Sequence, residues 1–134
     1  MGRRRILMQI PKRIWRVLIV DDDPIILRPM RRVLSFNLKD QVIIDLANDG
    51  AHGLGKVDAD LDILITDYQM PGMNGPELIQ RARQINAGLK VVLMSGDTGA
   101  ADRLAKAAGD HTIHTMDKPC SGQVRLELLA TLRT

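Results

Sequence analysis

The chain has 134 residues, 45% of them apolar and 26% charged, an ordinary globular composition and enough length for one domain with its own core. Phe, Trp and Tyr together make up 2%, which argues against nucleic-acid binding on aromatic platforms, and the single cysteine, Cys120, excludes an internal disulfide and fits a reducing, cytoplasmic compartment. The net charge of +3 is unevenly spread: the first 16 residues hold six basic and no acidic side chains, and the remainder holds 13 basic against 16 acidic.

Residues 1–14 read as a basic extension, expected to be partly ordered like most chain ends. Its apolar piece, "ILMQI", is too short for a signal peptide and runs into Pro-Lys-Arg. Contact of these basic residues with acidic lipid or nucleic acid is the functional alternative. No apolar run reaches the roughly 18 residues that a membrane span needs.

From there, short apolar runs alternate with helical patterns. "RVLIV" (16–20) predicts the first strand. A helix over 24–36 follows, with Asp23 as N-cap and Pro24 at its first position. Pro29 inside it removes a backbone donor and should kink or loosen it. "QVIIDLA" (41–47) is the second strand, and the helix after it, near 49–57, carries Gly53 and Gly55 and should be poor and mobile. "DILIT" (62–66) is the third strand, followed by a helix that starts at Pro76 with Leu78, Ala82 and Ile85 on one stripe. "KVVLM" (90–94) is the fourth strand, and "GAADRLAKAAG" its helix. "TIHTM" (112–116) is a weaker fifth strand, and "SGQVRLELLATLRT" a final helix. Such (βα)5 alternation implies a doubly wound α/β fold, a five-stranded parallel sheet with helices on both faces.

In a sheet of this kind the ligand site lies beyond the C-terminal ends of the strands. The first strand delivers Asp21, Asp22 and Asp23 there, the third Asp67, the fourth Ser95 and the fifth Lys118. Asn48 and Asp49 follow the second strand and could lie to one side. Carboxylates gathered at one rim repel one another. A divalent cation relieves this, and carboxylate, carbonyl and water oxygens suit Mg²⁺. His52, His111 and His114 are too dispersed for a zinc site. Mg²⁺ beside a carboxylate, a lysine and a hydroxyl forms a phosphoryl-handling set, with Asp67 as the nucleophile.

Four stretches then carry a resemblance. "VLIVDDDP", "DILITDYQMPGMNGPEL", "VVLMSGD" and "DKP" stand in order at strand ends, and together they resemble the receiver domain of two-component response regulators over residues 15–134. The resemblance implies a flavodoxin-like fold with strand order 2-1-3-4-5. It implies that Asp67 accepts a phosphoryl group from a sensor histidine kinase or a histidine phosphotransfer protein and that the domain then changes conformation. Mg²⁺ would be held by Asp22 and Asp67 directly, by Asp21 through water and by the backbone carbonyl of Gln69. Lys118 would pair with the phosphoryl group and Ser95 would hydrogen-bond it. The Lys118–Pro119 peptide is expected to be cis. Gln69 and Asp97 occupy positions that tune loss of the phosphoryl group in the family.

One position departs from the family. Thr115 stands where an aromatic side chain usually reports phosphorylation by its rotamer, so the usual readout is in doubt. The expectation is a signalling switch with only self-phosphorylation and self-dephosphorylation activity, not a metabolic enzyme. No DNA-binding domain is read in the chain, which would be a stand-alone receiver or a piece of a larger regulator or hybrid kinase. Asp23 reads as a helix cap, and Met70, Met73 and Cys120 as packing residues. Two other readings remain open. One is a receiver-like binding module that never takes phosphate. The other is a haloacid-dehalogenase-like phosphatase using Asp21-x-Asp23, Ser95 and Lys118, which leaves "TDYQMPGMNG" unexplained.

Overall fold

In the computed structural model, which describes residues 14–38, 41–96 and 113–118, five strands run parallel in one sheet. They are β1 (Trp15–Val20), β2 (Val42–Ala47), β3 (Ile63–Asp67), β4 (Lys90–Ser95) and β5 (Ile113–Asp117), in the order β2-β1-β3-β4-β5. The expected order and parallel sense are therefore both found. The basic extension, the two helices expected after β4 and β5, and Asp97, His111, Pro119 and Cys120 lie outside the described residues.

Burial explains the sequence pattern. The interior strands β1, β3 and β4 are covered on both faces, which is why they read as nearly unbroken apolar runs. β2 lies at one edge and alternates between buried and exposed positions. Asp67 is the last residue of β3, one step further than the predicted strand end, and pairs in register with Met94. Its carboxylate is thus carried by a paired strand and not by a loop.

The helix α1 (Pro24–Leu38) begins at Asp23, whose Oδ1 accepts from Ile25 N at 2.9 Å, as expected of the cap. Leu27, Met30 and Leu34 pack on the sheet face formed by Val17, Ile19, Ile63, Ile65, Val92 and Met94. The helix continues without a break through Pro29, which lies on its exposed side. The other face carries α2 (Gly50–Gly55) and α3 (Gly75–Ile85), whose Leu78, Ile79 and Ala82 meet Leu18, Val20, Leu64 and Leu93. Asn74 caps α3 by accepting from Glu77 N at 2.9 Å, with Pro76 in the first turn. α2 is short, and Gly53 has a packing reason: it is buried where a Cβ would fall 2.7 Å from Val20 Cγ2.

Chain order places β1 between β2 and β3, so the winding reverses there. Crevices that hold ligands open at this reversal, at the carboxyl ends of the strands.

Candidate functional site

β1 and β3 are neighbours; Asp21 and Asp22 directly follow β1, and Asp67 ends β3 at the same rim. Carboxylate oxygens of Asp21, Asp22 and Asp67 all lie within 4.8 Å of one another. Asp21 is fully buried and Asp67 nearly so, whereas Asp22 is exposed. Backbone bonds that prolong the ladders past the strand ends hold this rim. Asp21 N donates to Ala47 O at 3.2 Å, Tyr68 N to Met94 O at 2.7 Å and Lys118 N to Ser95 O at 2.8 Å. The last of these ties the start of the Lys118 side chain to the end of β4.

Lys118 Nζ stands 2.8 Å from Asp21 Oδ2 and 3.0 Å from Asp67 Oδ2. The sequence order brings all four groups together. Burial pushes the Asp21 carboxyl above its ordinary pKa, an effect that Lys118 and the Asp23 amide only partly offset and that the nearby Asp67 charge reinforces. Burial also opposes the charge of Lys118, but the carboxylates of Asp21 and Asp67 outweigh it and hold the ammonium pKa above the ordinary lysine value. Lys118 therefore stays charged at neutral pH.

Asp21 Oδ1 accepts from Asp23 N at 2.9 Å. Oδ2 is buried, and its close neighbour is the Lys118 ammonium at 2.8 Å. Three carboxylates with oxygens within 4.8 Å of one another, one of them exposed to solvent, match the oxygen-only donor set of a hard divalent cation. The residues present thus fit Mg²⁺.

Ser95 is 3% exposed, and it lines a cleft of about 380 Å³ together with Asp67, Tyr68, Gln69, Gly96 and Lys118. Gln69 is exposed at that cleft, two residues beyond Asp67. Asp49 and Asn48 do not join the cluster. Asp49 caps α2 by accepting from His52 N at 2.7 Å, and Asn48 Oδ1 lies 3.3 Å from His52 Nδ1. Asp23 is likewise outside it, its carboxylate engaged by Ile25 N. Thr115 is half-buried on β5, in register with Leu93. Met70 is buried in the α2–α3 core layer and Met73 packs against it, as their reading as packing residues requires.

The sequence reading missed Gly75. A Cβ there would collide with the carbonyl oxygen of Asp67, and Gly75 N donates to Tyr68 O at 2.9 Å. The start of α3 therefore rests directly on the backbone that carries Asp67, an approach only glycine allows. The "MNGP" turn signals a helix start, but nothing in it says against which residue the glycine lies.

A parallel sheet in this order, with an acidic cluster and a lysine at the winding reversal, defines a receiver-type signalling module. Comparison with known proteins agrees. The family model for the response regulator receiver domain matches residues 17–130. The chain belongs to that family, whose members act in two-component systems as signalling modules and not as metabolic enzymes. It is 32% identical over 91 residues to the response regulator MprA of Mycobacterium avium (strain 104), a match that covers 67% of this chain and 39% of that regulator. The signal receiver domain of an HD domain-containing protein from Pseudomonas fluorescens Pf-5 superposes with a TM-score of 0.76 at 27% identity, covering 90% of this chain and 96% of that one. A CheY-like receiver domain protein from Methanospirillum hungatei JF-1 shares the fold with a TM-score of 0.72 at 24% identity, covering 87% of this chain and 91% of that one. No helix among the described residues is long and apolar enough to cross a membrane.

Proposed function

We propose that this domain is a phosphoacceptor switch in which Asp67 takes a phosphoryl group from the phosphohistidine of a sensor kinase or a histidine phosphotransfer protein. One observation carries the reading: three carboxylates within 4.8 Å share a rim with an ammonium group 3.0 Å from Asp67. In the transfer, an Asp67 oxygen attacks phosphorus. The P–N bond breaks, its electron pair leaves with the imidazole, and an acyl phosphate forms. Hydrolysis reverses the attachment: water attacks phosphorus and the bond to the Asp67 oxygen breaks, releasing phosphate.

Each residue has a role that follows from its chemistry. Mg²⁺ held by Asp21, Asp22, Asp67 and the Gln69 carbonyl would neutralise phosphoryl oxygens as charge builds on them. Lys118 supplies a fixed positive charge to the same oxygens, and the Ser95 hydroxyl donates to one of them. β3, paired on both sides, aims the Asp67 carboxylate with little freedom to stray. Gln69 and Asp97 are positions from which the attacking water could be tuned. Phosphorylation then shifts the population of two conformations. With Thr115 too small to fill and vacate an aromatic pocket, the output is read by another element, or the domain passes phosphate on with little conformational change.

Intact-mass measurement after treatment with acetyl phosphate and Mg²⁺ tests this reading. The expected result is a gain of one phosphate by the wild type, none by Asp67→Asn, and none by the wild type in excess EDTA. An adduct that persists in Asp67→Asn, or a wild type that never gains mass, overturns it.

A further inference from the structure

Gly50 and Gly53 are three residues apart on α2 and so share one of its faces. That face is wedged between two parts of the acidic rim. A Cβ on Gly53 would lie 2.7 Å from Val20 Cγ2, and one on Gly50 would lie 2.7 Å from the Met73 carbonyl oxygen. Neither neighbour can give way easily. Val20 is completely buried and β-branched, hence stiff at χ1, and the Met73 contact is with backbone. Opening either contact to an ordinary distance means separating the groups to at least 3.4 Å. Val20 immediately precedes Asp21, and Met73 lies in the loop between Gln69 and the start of α3. Asp49 fixes the beginning of α2 by capping it. Gly55, in the same helix, would meet nothing within 4 Å.

We infer that Gly50 and Gly53 are positioning residues for the acidic site. The bare face of α2 sets how far the β1 end, with Asp21 and Asp22, stands from the loop that carries Gln69. The inference rests on the phosphoacceptor reading above. Mg²⁺ tolerates little departure from octahedral geometry, so a displacement of a few tenths of an ångström in this support reaches the ion. The glycines that weaken α2 as a helix are what allow it to approach the rim.

The test compares Gly53→Ala, Gly55→Ala and the double variant Gly53→Ala/Val20→Ala with the wild type. Two measurements are made: Mg²⁺ affinity by calorimetry, and backbone amide NMR shifts of residues 20–23 and 69–75 without metal. Gly53→Ala should weaken Mg²⁺ binding by about tenfold or more, the usual scale for a lost supporting contact around a metal, and should move those amides. Gly55→Ala should do neither. Removing the Val20 methyl groups should restore most of the lost affinity, although it truncates a core residue and cannot restore stability. Wild-type affinity and unmoved amides in Gly53→Ala overturn the inference, as does a double variant that binds no better than the single one. Should Gly53→Ala fail to fold, the double variant must fold and bind Mg²⁺, and its failure to do so counts against the inference. A wild type that binds no Mg²⁺ removes the phosphoacceptor reading, while the amide shifts still decide the role of the glycines.

Discussion

The two ends of the sheet each gather acidic residues and treat them in opposite ways. At the N-terminal end, "DADLD" supplies Asp58, Asp60 and Asp62, and each takes part in a hydrogen bond. Arg16 Nη1 lies 2.9 Å from Asp58 Oδ1, and Arg16 N donates to Asp62 Oδ2 at 2.9 Å. Asn86 Nδ2 reaches the carbonyls of Asp58 and Leu61, and Asp60 N donates to Asp58 Oδ1. Arg16 and Asp58 are well exposed, and the hydrogen bond from Arg16 draws the Asp58 carboxyl below its ordinary pKa. At the C-terminal end, burial drives Asp21 the other way, with one lysine shared between two carboxylates. The first rim ties strands and loops together. The second holds charge where the fold would be easier without it, which is the mark of a site arranged for chemistry.

The largest effect should come from removing the shared cation. Lys118→Met leaves Asp21 and Asp67 facing each other without it and should destabilise the metal-free domain by about 3 kcal/mol in urea unfolding, the scale for breaking a buried ion pair. A loss no greater than that of an exposed pair would erase the contrast between the rims.

Adding a divalent countercharge should act in the opposite sense. Mg²⁺ at about a hundred times its dissociation constant should stabilise the wild type by about 2.7 kcal/mol through mass action. Asp21→Asn should lose most of this gain. An equal gain in the variant would place the ion elsewhere.

Without metal, Asp21→Asn should be more stable than the wild type at pH 7, because the folded state disfavours the Asp21 charge. The sign follows from the raised pKa: as pH falls through that value towards the ordinary 3.8, the folded state takes up the proton first and gains stability relative to the unfolded chain. The advantage of the variant should therefore shrink between neutral pH and about pH 4. Urea midpoints at several pH values check this, and a constant difference would contradict it. Lys118 acts at the alkaline end. Its raised pKa contributes stability that is present below the ordinary 10.5 and is lost as pH rises through the folded value.

The smallest effect belongs to the opposite rim. Asp58→Asn should leave the urea midpoint within error, since Arg16 and Asp58 form a solvent-exposed pair. Any residual difference should vanish in high salt.

Much of the fold was legible because its signals are local. Apolar runs marked the strands to within a residue or so, Asp23 and Pro24 marked the start of α1, and alternation implied a parallel sheet. α2 was legible as a weak helix, but its glycines looked like a defect. Only the packing of Gly53 on Val20 and Gly50 on Met73 shows what they permit. Gly75 was unreadable for the same reason, since its neighbour Asp67 is close in space through a turn that the residue letters do not describe.

The sequence by itself determined which strand delivers each functional group and in what order, because hydrophobic period and turn chemistry are properties of neighbouring residues. Tertiary structure alone decided how close the acids come and how deeply each is buried. Asp21, Asp22 and Asp23 are consecutive, yet Asp23 caps the helix, Asp22 stands on the exposed side of the acidic cluster and Asp21 is buried against Lys118. Burial and through-space distance separate three identical side chains, and neither is written in a run of letters.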